Sequence, residues 1–168
     1  MERKLIIRNF GAIASADIAL KDFNIFIGEQ GAGKSTVAKL ITIFENSRDK
    51  VLKVDSDYLM TKFSEYNIIS YFNPDSYISY SSEQGDITYE DGSFNFTFSY
   101  HSTSHNLYIP AERFFISTFS RSIATLVLSK APIPVTLLEF ASFYEKSKEP
   151  IRKLSSSYFQ YNIPSPWG

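Results

Sequence analysis

Phe23-Asn24-Ile25-Phe26-Ile27-Gly28-Glu29-Gln30-Gly31-Ala32-Gly33-Lys34-Ser35-Thr36 is the stretch on which the reading of this chain turns. Its first five residues form a compact apolar run of the kind that lies buried inside a sheet. Gly28-x-x-x-x-Gly33-Lys34-Ser35 then fills every fixed position of a phosphate-binding loop. The glycines let the backbone curl into a nest whose N–H groups, those of Glu29, Gln30, Gly31 and Ala32 among them, converge on phosphate oxygens. Lys34 is placed to bridge the β- and γ-phosphates, Ser35 to complete the coordination of Mg²⁺, and Thr36 to reach the α-phosphate. Val37, Ala38, Leu40, Ile41 and Phe44 follow at helical spacing and make 34–46 an amphipathic helix, whose positive end favours the anion. A glycine-rich turn could carry the same residues by chance; a strand directly before and a helix directly after distinguish the two. The expected ligand is ATP with Mg²⁺.

Working outward, Leu5-Ile6-Ile7 and the run from Ile13 to Leu20 read as a hairpin turning at Gly11. A second helix is expected over 51–63, although its N-terminal part reads equally well as a strand. Beyond the break at Asn73-Pro74-Asp75, the stretches 77–80, 86–90 and 93–100 read as an antiparallel meander. Its turns are Gln84-Gly85 and Asp91-Gly92, the latter a strong two-residue hairpin signal. Phe94, Phe96 and Phe98 alternate with polar residues, so one face is buried. Leu107-Tyr108-Ile109 suggests another short strand, stopped by Pro110. Helices are expected over 113–130 and 136–147, the second with a Thr136…Glu139 capping box and ended by Pro150.

Together these segments resemble a known group. Leu5-Ile6-Ile7-Arg8-Asn9-Phe10-Gly11, Ala16-Asp17-Ile18-Ala19-Leu20 and Asn24-Ile25-Phe26-Ile27-Gly28 with its loop look like the amino-terminal lobe of ABC-type ATPases of the SMC, RecF and OLD kind. The resemblance covers residues 3–46; the meander and Tyr108-Ile109-Pro110-Ala111-Glu112-Arg113 are similar to small bacterial members. It implies an α/β P-loop NTPase lobe, with a central sheet, an antiparallel β-meander and C-terminal helices. It also implies that Asn9 and Phe10 flank the base or ribose, against the alternative that Phe10 is a core aromatic.

The group's second lobe brings an LSGG-like signature, a Walker B strand ending in Asp-Glu and a switch histidine, and this sequence shows none of them. The nearest Walker B imitations are Val135-Thr136-Leu137-Leu138-Glu139, better explained as a capped helix, and Leu107-Tyr108-Ile109-Pro110-Ala111-Glu112, broken by proline. Gln84 lies at a turn and Gln160 in the tail, so neither is assigned as the Q-loop glutamine. The catalytic residues are therefore unassigned. Hydrolysis by the isolated chain is not expected, and a homo-oligomer or a partner supplying the missing lobe is.

Length and composition bound the rest. The 168 residues suit one nucleotide-binding domain over 1–150 with a loosely ordered tail over 151–168. A hydrophobic fraction of 43% supplies a core and excludes wholesale disorder. With 17 basic and 18 acidic residues, no global field gathers nucleic acid or a membrane surface. Lys146, Lys148, Arg152 and Lys153 cluster, but Glu145 and Glu149 interrupt them, as on a solvated helix face. There is no cysteine, and His101 and His105 are too few for a histidine-built metal site. No apolar run approaches the roughly 20 residues of a membrane span, so a cytoplasmic protein is expected.

Two other readings stay open. A small-molecule P-loop kinase would use Val54-Asp55-Ser56-Asp57 to hold a substrate hydroxyl and Arg113 or Arg121 as a lid arginine. Such kinases begin with the P-loop strand, whereas two strands precede it here. A non-catalytic interaction module would hold ATP as a structural ligand.

Overall fold

The computed structural model describes residues 3–47, 55–83, 85–98, 106–111, 128 and 132–158. The chain divides into two compact units, Met1–Tyr108 and Ile109–Gly168.

The first unit is built on an antiparallel sheet. β1 (Arg3–Phe10) and β2 (Ile13–Leu20) form the expected hairpin, in register Leu5↔Ile18 and Phe10↔Ile13. β3 (Tyr77–Ser82) pairs with the other edge of β1, and β4 (Gly85–Glu90) and β5 (Ser93–Phe98) continue the meander, giving the order β2-β1-β3-β4-β5. The β4–β5 turn follows from its residues: Asp91 and Gly92 take φ of 50° and 78°, as the primed hairpin turns require. In β1 the alternation that buries Leu5 and Ile7 is broken at Asn9, whose φ is 50°, and Phe10 is buried in its place.

One face of the sheet is covered by α1 (Lys34–Asn46) and α2 (Ser56–Glu65). Leu40, Ile43 and Phe44 of α1 and Leu59 and Phe63 of α2 join Leu5, Ile7, Ile78, Tyr80 and Ile87 in one core. Phe63 is its hub. Fully buried, its ring lies 5.9 Å from Phe10, 4.9 Å from Phe72 and 5.7 Å from Phe94, so it ties β1, the segment after α2 and β5 together. The opposite face, with Asp86, Glu90, Asn95 and Thr97, is wet. A single 3-10 turn, Ile69–Tyr71, seats its tyrosine ring where a Cβ on Gly11 would stand 2.6 Å away. Only glycine fits there, and its φ of 57° asks for glycine too.

The second unit contains α3 (Val135–Tyr158). It starts one residue before the expected capping box, with Pro134 O accepting from Leu137 N and Leu138 N at 3.0 and 3.2 Å, so Thr136 lies inside the helix. It also runs through Pro150 and takes in 151–158, which the sequence assigns to a loose tail. An interior proline removes one backbone hydrogen bond and bends a helix, but need not end one with intact turns on both sides. The helix expected over 113–130 lies outside the described residues, apart from Leu128.

Two strands expected from sequence do not form. Residues 107–109 take no strand pairing. Nor do Phe23–Ile27, which the apolar run marks as buried: Phe23, Ile25 and Ile27 are 80%, 70% and 92% exposed. Apolarity marks a segment that is stable when covered; it supplies no cover, and among the described residues no strand lies beside this one. The helix expected over 51–63 is observed as Ser56–Glu65, with 51–54 outside the described residues. Among those residues, no helix is long and apolar enough to cross a membrane.

Phe63→Ala should cost about 3–5 kcal/mol of stability, the range for deleting a fully buried aromatic. The check is a lower midpoint in chemical denaturation at unchanged slope. Gly33 is as closely fitted as Gly11: a Cβ there would stand 2.5 Å from Ile13 Cγ1, at a φ of 86°. Gly33→Ala should therefore destabilise less in an Ile13→Ala background than in the wild type, by a coupling on the order of 1 kcal/mol, the residue being backbone strain.

Candidate nucleotide-binding site

The loop between Ile27 and α1 has the shape its sequence asks for. Gly31 and Gly33 take φ of 84° and 86°, conformations closed to most side chains. Around Gly31 a Cβ would meet nothing within 4 Å, so glycine is there for its backbone; at Gly33 both backbone and Ile13 demand it. Gly28 differs, since its φ is not positive and a Cβ would make ordinary contact with Ala32 at 3.7 Å. Ala32 N donates to Glu29 O at 3.3 Å and closes the loop on itself.

α1 begins at Lys34 with Val37 N donating to Gly33 O at 3.0 Å. Its N-cap, Gly33, offers no side chain to the free N–H groups of the first turn, and that turn carries no acidic residue. The donors and the positive end of the helix are thus directed into the loop uncompensated. The Lys34 ammonium curls back over the loop, donating to Gly28 O at 2.8 Å and to Glu29 O at 2.5 Å. A neutral carbonyl holds an ammonium less strongly than an anionic oxygen does, so these bonds are exchangeable for phosphate. Ser35 is exposed beside the loop, while Thr36 is only 5% exposed. This donor set, an ammonium, an exposed hydroxyl and the uncapped first turn of α1, fits a polyphosphate with its metal.

Beside the loop lies an open pocket of about 430 Å³. Ala32, Gly33, Lys34 and Val37 form one wall, Ile25–Ile27 another, and 12–16 of the hairpin a third. The sequence reading did not single out this third wall. Its run of small residues, Ala12, Ala14, Ser15 and Ala16, was the available signal, because small side chains on a strand leave room beside it.

Several residues considered for the site stand elsewhere. Phe10 is fully buried, with its ring 5.7 Å from Tyr71 and 4.9 Å from Phe72, so it is a core aromatic and cannot flank a base. Asn9 is held by the 73–76 turn: its carbonyl accepts from Asn73 Nδ2 and Ser76 Oγ, and its own amide donates to Asp75 O. Asp55 caps α2, accepting from Tyr58 N at 2.9 Å, and Asp57 is exposed in the first turn. Glu139 of the Val135-Thr136-Leu137-Leu138-Glu139 run lies on a helix, not at the end of a strand. Among the described residues no three His, Cys, Asp or Glu side chains gather as a metal site. Arg113, Arg121, His101, His105, Gln84, Gln160 and Glu112 lie outside those residues.

A family model described as an AAA ATPase domain matches residues 1–163. No curated protein and no solved structure shows a significant match. Spanning nearly the whole chain, the family match shows that the chain belongs to the AAA ATPase domain family, as the resemblance of residues 3–46 to P-loop ATPases of the SMC, RecF and OLD kind implied.

Proposed function

We propose that the chain binds Mg·ATP through Gly28, Glu29, Gln30, Gly31, Ala32, Gly33, Lys34, Ser35 and Thr36, and that it forms one half of an ABC-type ATPase site. The observation that carries this reading is the uncapped start of α1, facing a loop that two left-handed glycines curl around the Lys34 ammonium. The Lys34 head group would pass from Gly28 O and Glu29 O to the β- and γ-phosphates, and Ser35 would hold the metal, which neutralises charge on the phosphates when bound. Gly28, which neither φ nor crowding explains, would leave its backbone bare for the phosphates. The pocket beside the loop has room for the rest of the nucleotide.

Hydrolysis needs more than this half-site. Ground-state phosphates are held by the nest and by Lys34, whereas rate acceleration requires groups whose contacts strengthen in the transition state. A carboxylate that orients water and a signature loop over the γ-phosphate would come from a second lobe or another subunit. Against the kinase alternative stands the engagement of Asp55 as the cap of α2, where it accepts from Tyr58 N. A location in the cytoplasm and a homo-oligomeric or partnered assembly belong to the same reading.

Mg·ATP should raise the melting temperature of the wild type by several degrees, because a ligand that binds only the folded state stabilises it by mass action. Lys34→Ala should remove that rise, and Ser35→Ala should reduce the part that depends on Mg²⁺. Equal shifts in wild type and Lys34→Ala would refute the loop assignment. Phosphate release by the isolated chain at saturating ATP should be negligible; Lys34-dependent turnover near about 1 s⁻¹, an ordinary enzymatic rate, would show that a complete site exists within these residues.

A further inference from the structure

The pocket beside the phosphate loop is poor in groups that can read a base. Of the described residues that line it, only Ser15 and Lys34 carry a side chain able to hydrogen-bond; the rest are glycine or aliphatic, apart from Phe26. The Lys34 ammonium is turned to Gly28 O and Glu29 O, where phosphate oxygens would replace the carbonyls, so it is committed to the loop. That leaves the Ser15 hydroxyl, which donates and accepts alike. Adenine and guanine differ in presenting a donor amino group at N6 and an acceptor oxygen at O6, and a hydroxyl suits both. Strong discrimination requires a polar group that the wrong ligand leaves unpaired, and no described side chain of this lining imposes that penalty. Phe26 supplies the contact that remains. Its ring is 36% exposed, lines the pocket, and meets no other aromatic ring among the described residues. On the hairpin wall Ala12, Ala14 and Ala16 project little, so the cavity of about 430 Å³ stays open, within the range of about 300–1,000 Å³ usual for small-molecule sites.

We propose that this pocket holds the base of a nucleoside triphosphate by stacking on Phe26 and apolar contact with the hairpin wall, without reading which base it is. The proposal rests on the binding of the phosphates by the loop and adds the substrate class: nucleoside triphosphates in general rather than ATP alone. Stacking tolerates any base because every base has a π face, and what preference it shows follows stacking strength, so the two purines bind alike and a pyrimidine somewhat more weakly. The loop then sets an affinity common to all polyphosphates, and Phe26 raises it for those that carry a base. The competing reader is the main chain of β2, since the edge strand of a sheet offers unpaired donors and acceptors. Main-chain readout would show itself as a preference between ATP and GTP.

Titration calorimetry of the full chain with the Mg²⁺ complexes of ATP, GTP, UTP and inorganic tripolyphosphate separates the two contributions. ATP and GTP should bind with dissociation constants within about threefold of each other, and tripolyphosphate about tenfold or more weakly than ATP, the order of effect of one base–aromatic stack. UTP should lie between them. Phe26→Ala should raise the constants for ATP and GTP together by about tenfold and leave that for tripolyphosphate unchanged, whereas a residue that merely held the loop in shape would weaken tripolyphosphate as well. Ala14→Trp, which fills the cavity from the hairpin side, should have the same effect with Phe26 in place. Lys34→Ala should abolish the binding of all four ligands. A preference of about tenfold or more between ATP and GTP overturns the proposal in favour of readout by hydrogen bonds. Tripolyphosphate that binds as tightly as ATP, or a Phe26→Ala chain that binds all four ligands as the wild type does, also overturns it and leaves the loop assignment standing. Binding of none of the four by the wild type overturns the loop assignment and the proposal with it.

Discussion

The position of the phosphate loop depends on one close contact, that of Gly33 with Ile13. Gly33 is at once the last loop residue, the N-cap of α1 and the neighbour of the β1–β2 hairpin, and a methyl group there would stand 2.5 Å from the isoleucine. Neither of the loop's other glycines is so tightly placed: Gly31 has no neighbour for a Cβ, and Gly28 has only Ala32. Downstream, α1 carries the constraint into the core through Val37, Leu40 and Phe44, and Phe44 meets Tyr80 of β3 with ring centroids 5.7 Å apart. The loop is thus held by its helix and by the hairpin, and its upstream residues Gly28 and Glu29 are held by hydrogen bonds from Lys34 and Ala32.

At the far end of α1 a polar contact completes the seating. Glu45 is almost fully buried; it accepts a hydrogen bond from the Tyr80 hydroxyl and lies 3.6 Å from Arg3 Nη1. A buried carboxylate without donors would be costly, so these two partners, one from each of the paired strands β3 and β1, make the burial tolerable. The helix that presents its positive end to the loop is therefore fixed to the sheet by apolar packing along its length and by charge at its end.

Much of this was legible in the residues, and the failures share a cause. Local chemistry identified the β1–β2 hairpin, α1, the Asp91-Gly92 turn and the phosphate loop, because each is decided by short-range sterics or by periodicity that few alternatives satisfy. Phe10 was ambiguous because an aromatic next to a turn suits a core and a base equally; what decides is Phe63, which lies 53 positions away in sequence and whose contact no local pattern reveals. Asp55 and Asp57 suit a substrate clamp in sequence, but Asp55 caps α2 by accepting from the Tyr58 N–H. For α3, Pro150 carried a stop signal that the rest of the helix overrides.

Phe23–Ile27 differs from these cases, because its apolar pattern is that of a buried strand, whereas neither strand pairing nor burial is observed. An apolar run states what a segment requires, and the requirement can be met by chain that is distant in sequence or by another molecule. Exposing such a run is unfavourable by roughly 25 cal/mol for each Å² of apolar surface left in water. A docked strand would remove that surface and also satisfy main-chain groups that now have only solvent. Because Ile27 is bonded directly to Gly28, any strand that fixes the segment also fixes the start of the phosphate loop, on the side where the hairpin does not reach.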